Sequence, residues 1–196
     1  MVTGMFSGGF DRLYPARVVA TGAAIWFFWR KIITRDQIAG CRSGAAVAIG
    51  AAVFVLWRGL EGATGEAGTG YSIAAPLPEM STEGATSWII FRVIGSMVTA
   101  PIAEELAFRG YLLRRLISAD FHQLSSPRFT WLSFLVSSFL FGALHGHWLA
   151  GTAAGMFYAW AMYRRGRVGD AILAHATTNA LIAADVLILG NWGLWG

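Results

Sequence analysis

The stretch Trp88–Leu116, WIIFRVIGSMVTAPIAEELAFRGYLLRRL, decides the fold of this chain. Its length and apolar content are those of a membrane-spanning helix, which needs about 20 residues to cross the hydrocarbon. Proline removes a backbone hydrogen bond from the turn before it, so we expect Pro101 to interrupt this helix. A charged group at the centre of a bilayer costs about 2.5–3.5 kcal/mol on the insertion scale. The charges of Glu104, Glu105 and Arg109 within the stretch therefore need a structural or functional reason.

The composition extends the membrane assignment to the whole chain. Of the 196 residues, 56% are hydrophobic and 13% are charged, and the mean hydropathy is +0.54. A soluble domain carries about 25% charged residues. Too few charges remain to coat a water-facing surface, so lipid must cover most of it. We therefore predict a single integral membrane domain over residues 1–196.

Five further apolar segments are candidate spans beside Trp88–Leu116. They are Arg17–Lys31, Ser43–Leu56, Phe129–Gly146, Trp148–Tyr163 and Val168–Leu189. Residues 59–86 are rich in glycine and proline and are predicted to form a loop. The pattern predicts an all-α fold, a polytopic transmembrane bundle of about six helices.

The charges that flank the spans orient the bundle, since short cytoplasmic loops carry an excess of Lys and Arg. Three loops are basic through Arg30, Lys31, Arg35, Arg42, Arg114, Arg115, Arg128, Arg164, Arg165 and Arg167. The long loop on the other side is acidic through Glu61, Glu66, Glu79 and Glu83. We expect the basic loops in the cytoplasm and both termini on the opposite side.

Several other functional classes have little support in the sequence. The net charge of +4 comes from basic residues beside apolar runs. This pattern is typical of a membrane protein and argues against nucleic-acid binding as the function. The single cysteine, Cys41, excludes an internal disulfide and a thiolate metal cluster. Because Cys41 lies far along the chain from every histidine, nucleophilic cysteine catalysis is poorly supported. The chain also lacks a glycine-rich phosphate-binding loop.

Polar residues on three of the predicted spans have informative spacings. Glu105 and Arg109 are four residues apart, so the guanidinium can pair with that carboxylate. Glu104 is rotated from Glu105 by about 100° around the helix and can face elsewhere. One glutamate would then be held by Arg109 while the other addresses a water. His175 and Asn179 are also four apart and share one face of the last span.

Each of these residues also has a purely structural interpretation. The Glu105–Arg109 pair could be an ordinary ion pair, and His175 with Asn179 could join helices by hydrogen bonds. His145 lies near the end of the fourth span and could be interfacial, which is the interpretation we give to His147. Arg92 is expected to snorkel or to pair locally. Together, however, so many costly groups on separate spans favour one shared cavity.

Three short motifs carry a resemblance to a known family. The segments are EELAFR at 104–109, FGALH at 141–145 and HATTN at 175–179. They resemble the EExxxR, FxxxH and HxxxN motifs of the CAAX-protease and bacteriocin-processing (CPBP) family of intramembrane proteases. The order of the three motifs on separate apolar segments makes the signal specific. The resemblance covers residues 88–189, about half of the chain.

The resemblance implies an intramembrane endopeptidase and assigns a role to each motif residue. Glu104 would be the general base that activates a water, and His145 would help to position that water. His175 and Asn179 would donate hydrogen bonds to the oxyanion, and Arg109 would hold the second glutamate. Burial tends to raise the pKa of a carboxylate toward the range useful for a general base. Hydrogen-bond donors to an oxyanion gain strength where water is scarce. The general-base role and the oxyanion-donor role are therefore both physically reasonable.

The amino-acid sequence around the motifs is most similar to that of the CAAX-protease-related branch that accompanies bacterial exosortase systems. This resemblance implies a multi-pass protein of the bacterial inner membrane. Its partners would be the lipid bilayer, a membrane-embedded protein or peptide substrate, and a bacterial protein-sorting system. Prenylated cysteine is not expected as the substrate, because bacteria generally lack that modification.

Some alternatives remain open at the level of sequence. We expect no cofactor, but two histidines and one or two glutamates could bind Zn²⁺ with an open position for water. Buried Glu and His could instead form the relay of a proton-coupled transporter, or the chain could be a non-catalytic scaffold or immunity protein. Straight spans would also leave His145 nearer the outer side than Glu104 and His175, so some helices must tilt, bend or be offset.

Overall fold

The computed structural model describes residues 11–32, 43–64, 74–121 and 128–195. Several residues used in the sequence analysis lie outside these ranges, namely Cys41, Arg35, Arg42 and Glu66. The middle of the predicted loop, residues 65–73, lies outside them as well.

Six helices run through the described part of the chain, which contains no strand. They are α1 (Tyr14–Ile32), α2 (Gly44–Thr64), α3 (Thr82–Ile117), α4 (Trp131–Ala143), α5 (Trp148–Tyr163) and α6 (Val168–Leu189). Single 3₁₀ turns lie at Leu77–Glu79 and Trp192–Trp195. The predicted all-α bundle of about six helices is confirmed, and each helix overlaps a predicted span.

The predicted loop at residues 59–86 is shorter than expected. Helix α2 continues to Thr64, and α3 begins at Thr82 rather than at Trp88. The early start of α3 has a local cause, because the Ser81 side chain accepts a hydrogen bond of 3.2 Å from the Gly84 amide. Such an N-cap satisfies one of the free amides of the first turn.

Two helices, α3 and α6, are long and apolar enough to cross a membrane by length and composition. Helix α4 has 13 residues and α5 has 16, which correspond to about 20 and 24 Å. Neither reaches the roughly 30 Å thickness of the hydrocarbon core. The fourth span predicted at Phe129–Gly146 is therefore too long, because Thr130 caps the helix and residues 144–147 form a turn.

Helices α4 and α5 form an antiparallel hairpin with close backbones. Near its open end, the hydroxyls of Ser133 and Tyr163 lie 3.3 Å apart. Near its turn, a Cβ added to Gly142 would lie 2.5 Å from the Thr152 amide nitrogen. Small residues at such positions allow helices to approach closely where lipid gives no hydrophobic driving force.

Helix α6 occupies the centre of the bundle and packs on α2, α3 and α5. A Cβ added to Gly50 of α2 would lie 2.7 Å from Thr177 Cβ, so these two backbones also touch. The Thr178 hydroxyl donates a hydrogen bond of 2.9 Å to the Gly50 carbonyl across the same contact. These contacts fix α6 against α2, while His175 on α6 lies against Glu105 of α3.

Helix α3 contains two π-helical segments, Gly95–Thr99 and Leu106–Leu112. Pro101 lies in the first turn of the α-helical segment between them, Ala100–Glu105. The predicted interruption is thus a local widening of the helix rather than a break. π-helical turns are rare and occur frequently at functional sites, and here they flank the glutamate pair.

Two arginines away from the glutamate pair, Arg92 and Arg58, make polar contacts with other parts of the chain. The Arg92 guanidinium donates to the Trp195 carbonyl at 2.5 Å and lies 4.7 Å from the centroid of the Tyr14 ring. Arg58 pairs with Asp185 at 3.3 Å. Arg92 therefore pairs locally, as predicted, and takes part in a structural contact.

Candidate active site

The second glutamate of the pair is the anchor of a fully buried polar cluster. One oxygen of Glu105, Oε1, lies 3.0 Å from Arg109 Nη1 and 3.0 Å from His175 Nδ1. The side chains of Glu105 and Arg109 are both 0% exposed. A buried carboxylate of this kind needs opposite charge and hydrogen bonds, and it receives both from α3 itself and from α6.

Arg109 ties this cluster to the hairpin. Its second terminal nitrogen donates a hydrogen bond of 2.6 Å to the Gly155 carbonyl of α5. Its guanidinium carbon lies 4.5 Å from the centroid of the Phe141 ring of α4, a cation–π contact. A Cβ at Gly155 would lie 3.0 Å from the Ser138 carbonyl oxygen of α4. The glycine therefore lets α5 pack closely on α4 at the point where its carbonyl accepts from Arg109.

Glu104 has a different environment from its neighbour. Its Oε2 lies 4.0 Å from His145 Nε2 and 4.0 Å from His175 Nε2. This oxygen is buried and has no hydrogen-bond partner among the described residues, although the side chain as a whole is 19% exposed. The structure thus brings the Glu104 carboxylate close to both histidines. Of the two glutamates, Glu105 is the one hydrogen-bonded to Arg109.

Hydrogen bonds fix how the two imidazoles face Glu104. His145 Nδ1 lies 2.7 Å from the Phe141 carbonyl oxygen. Because a carbonyl can only accept, this nitrogen carries the proton and Nε2 keeps its lone pair in the neutral ring. His175 Nδ1 likewise donates to the carboxylate of Glu105. Both Nε2 atoms therefore point toward the unpaired oxygen of Glu104.

The short hairpin explains how His145 reaches this depth. A straight fourth span would carry His145 beyond Glu104, but α4 ends at Ala143 and the chain turns back through residues 144–147. The turn is close-packed, because a Cβ at Gly151 would lie 3.1 Å from His145 Cβ. The depth offset expected from the sequence is thus produced by a helix that is too short to span.

Asn179 lies one helical turn beyond His175 and is not joined to the histidine–glutamate cluster. Its Nδ2 donates a hydrogen bond of 2.7 Å to the Ser96 carbonyl of α3. Ser96 is in the first π-helical segment, where the widened backbone leaves carbonyls to be satisfied by other groups. The role of Asn179 as an oxyanion donor stays a prediction, since one of its two amide hydrogens is already engaged.

Aromatic rings enclose the histidines, and the sequence analysis gave them no role. Tyr158 stacks on His175 with centroids 4.6 Å apart and an interplanar angle of 14°. Phe141 lies 4.5 Å from the His145 ring centroid, and Trp57 of α2 lies 6.0 Å from it. Phe141 stands inside the second motif and could have been singled out there. Tyr158 and Trp57 lie outside all three motifs, so only their helical position could have suggested them.

No group of three or more His, Cys, Asp or Glu side chains in the described ranges is arranged to hold a metal ion. Glu104 Oε2 lies 4.0 Å from His145 Nε2 and 4.0 Å from His175 Nε2.

Residues 86–181 match a family model described as Rce1-like, type II CAAX prenyl endopeptidase Rce1-like. The matched segment is just under half of the chain and contains all three motifs. It supports the CPBP family assignment and, with it, a CAAX-type protease embedded in a membrane, and it says nothing about the exosortase-associated branch. No curated protein and no solved structure gives a significant match.

Proposed function

We propose that this chain is an intramembrane endopeptidase in which Glu104 activates a water to hydrolyse a peptide bond. The observation that carries the proposal is the unpaired Oε2 of Glu104, which lies 4.0 Å from the Nε2 atoms of two histidines. Two acceptors at this separation can both bind a single water that sits off the line between them. The family match to CAAX prenyl endopeptidases supports the same chemistry.

In the first step, the water donates one hydrogen to Glu104 and the other to His145 Nε2. Both of its hydrogens are then held, so a lone pair of its oxygen can attack the carbonyl carbon of the substrate. As the new carbon–oxygen bond forms, Glu104 takes the proton that the water loses. General base catalysis of this kind contributes about 10²–10⁴-fold to the rate.

In the second step, the tetrahedral intermediate needs donors for its oxyanion. His175 fits this role when it carries a proton on both nitrogens, since Nδ1–H donates to Glu105 at 3.0 Å and Nε2–H points into the site. The amide of Asn179 is the second candidate donor.

In the third step, the carbon–nitrogen bond breaks and Glu104 returns its proton to the leaving amine. The products are a new carboxylic acid, which passes its proton to the new amino terminus, and the enzyme is regenerated when a water re-enters. Arg109 takes no part in the proton transfers. Its guanidinium pairs with Glu105 at 3.0 Å and so offsets the repulsion between two neighbouring carboxylates.

The proposed mechanism uses no metal. If Zn²⁺ took part, Glu104, His145 and His175 are the residues that would hold it, and its contribution would be to acidify the bound water. Chelation separates the two mechanisms. Incubation with 1,10-phenanthroline followed by its removal should leave cleavage unchanged, whereas a loss that added Zn²⁺ restores would assign the site to zinc chemistry.

We further propose that the chain lies in the bacterial inner membrane as a multi-pass protein and cleaves a membrane-associated protein or peptide. The buried position of the site, with apolar helices around it, favours a substrate that reaches it from the bilayer. A protein-sorting system remains the proposed biological partner, on the resemblance of the motif-flanking segments.

The proposal is tested by cleavage in proteoliposomes. Internally quenched peptides, with and without an S-farnesyl cysteine, would be analysed by mass spectrometry after incubation with the wild type and with Glu104→Ala. We expect Glu104→Ala to lower the cleavage rate at least about 10²-fold, the lower bound for loss of a general base. Glu83→Ala is the matched control, because Glu83 is an exposed glutamate in the first turn of the same helix.

Retained cleavage by Glu104→Ala would remove this residue from the mechanism. A pH-driven flux across the same proteoliposomes, lost in His175→Ala, would assign the buried groups to proton transport instead. A cellular phenotype unchanged by Glu104→Gln would favour a scaffold.

A further inference from the structure

Both oxyanion donors that the three motifs supply already make a hydrogen bond elsewhere in the structure. His175 has one nitrogen to offer, because Nδ1 is engaged by Glu105. The amide nitrogen of Asn179 already donates to the Ser96 carbonyl at 2.7 Å. Oxyanion donors act by pointing at the developing charge, so a further N–H beside the histidines with no other partner would strengthen the site.

Trp57 of α2 presents such a group. Its ring is packed edge-on against both histidines of the hairpin turn, with centroid distances of 6.0 Å to His145 and 6.1 Å to His147. The residue is 8% exposed, and its indole Nε1 is buried without a hydrogen-bond partner among the described residues. Trp57 also lies outside the segment that matches the family model.

A buried donor without a partner is a cost to the folded protein and calls for an explanation. Glu104 Oε2, which lies 4.0 Å from His145 Nε2, is a buried acceptor that also lacks a partner among the described residues. The Trp57 ring and this acceptor are thus both neighbours of the His145 imidazole. A peptide group at the site would offer a carbonyl oxygen to the donor, while the attacking water occupies the acceptor.

We infer that the Trp57 indole N–H is a hydrogen-bond donor to the carbonyl oxygen of the scissile peptide and to the oxyanion that forms from it. This inference rests on the proposed function. It makes Trp57 a catalytic residue supplied by a helix that precedes the three motifs. The bond strengthens as negative charge develops on the oxygen, so its loss is expected to lower kcat more than it raises KM.

The chain offers a matched control for this test. Trp195 also has a buried Nε1 without a partner among the described residues, but its ring packs against Arg92 rather than against the histidines. Replacement by phenylalanine removes the N–H and keeps an aromatic ring at either position. Trp57→Phe and Trp195→Phe therefore differ in location and not in chemistry.

The experiment measures kcat and KM for both variants and the wild type in proteoliposomes, with the quenched peptides described above. Loss of one oxyanion donor costs about 10²–10³-fold in kcat, and a neutral indole is expected at the lower end, near 10²-fold, with KM changed less than about threefold. Trp195→Phe is expected to match the wild type. A second probe is a peptide with a phosphinate in place of the scissile amide, whose affinity should fall about tenfold or more in Trp57→Phe.

A kcat and a phosphinate affinity that are unchanged in Trp57→Phe would overturn the inference and leave the Glu104 mechanism standing. Equal losses in the two tryptophan variants would also overturn it, because they would reflect packing alone. If the wild type neither cleaves the peptides nor binds the phosphinate, the proposed function fails and this inference fails with it.

Discussion

At the scale of single residues, two adjacent glutamates of one helix have opposite environments. Glu105 is held by Arg109 and His175, whereas the Oε2 atom of Glu104 is left facing two imidazoles. The rotation of about 100° between neighbouring positions is the cause, because it turns one carboxylate toward the guanidinium and the other toward the hairpin turn. One residue is therefore suited to stability and the other to chemistry.

This difference predicts that substitution of Glu105 lowers the stability of the protein, whereas substitution of Glu104 lowers its activity and leaves its stability nearly unchanged. Glu105→Gln leaves the fully buried guanidinium of Arg109 without its counter-ion, and breaking a buried pair costs about 3–5 kcal/mol. Glu104→Gln leaves the Glu105–Arg109 pair intact and is expected to change the free energy of unfolding by less than about 1 kcal/mol. Denaturant unfolding in detergent measures both.

The matched pair of amide variants differs by one position, so general effects of the substitution cancel. Equal destabilisation by the two variants, or a larger effect at Glu104, would show that the ion pair is not the anchor of the site.

Much of the site could be predicted at this scale. The motifs place Glu104, Glu105 and Arg109 on one helix, and their spacing predicts the ion pair that the structure contains. The engagement of Asn179 by Ser96 could not be predicted, because it depends on a π-helical segment that no residue pattern announces. The stack of Tyr158 on His175 depends likewise on how α5 meets α6.

At the scale of elements, the α4–α5 hairpin sets the depth of the second motif. The largely apolar segment Phe129–Gly146 has 18 residues and is long enough to span, and the sequence offers no strong stop signal before His145. The helix nevertheless begins at a Thr130 cap and ends at Ala143. Helix boundaries depend on caps and on packing, so the existence of α4 could be predicted and its length could not.

Helix contacts built on glycine should be sensitive to a single methyl group. In Gly50→Ala the new Cβ would lie 2.7 Å from Thr177 Cβ and would also meet the Ala174 carbonyl, so α2 and α6 must separate. Overpacking of this kind typically costs about 1–3 kcal/mol. Thermal unfolding in detergent measures the loss.

Gly59→Ala is the control on the same helix, because nothing lies within 4 Å of a Cβ built at that position. Alanine is the better helix former, so this variant is expected to be neutral or more stable by up to about 1 kcal/mol. Destabilisation by Gly59→Ala equal to that of Gly50→Ala would contradict a close contact between α2 and α6.

At the scale of the whole molecule, the charge distribution predicts an orientation that the fold does not test. The composition and six apolar segments were sufficient to predict the helical bundle, since lipid must cover a chain with so few charges. The order of packing around α6 was not predictable, because it follows from small residues that meet only in three dimensions. Which face carries the termini is still a prediction from the positive-inside rule.

Cysteine labelling in intact cells checks that orientation. In a Cys41→Ser background, Glu79→Cys and Ala119→Cys place a thiol at exposed positions in the acidic and basic connections. A membrane-impermeant maleimide is expected to label Glu79→Cys in intact cells and Ala119→Cys only after lysis. The reverse pattern would invert the topology.

The central claim is that Glu104, His145 and His175 hold one water at a point within the membrane. An experimental structure in lipid nanodiscs, resolved finely enough to show ordered waters, tests it most directly. We predict a water within hydrogen-bond distance of Glu104 Oε2 and of at least one Nε2 atom. A Glu104 side chain that points into the acyl chains, or that is separated from both imidazoles by more than one water can bridge, would contradict the claim.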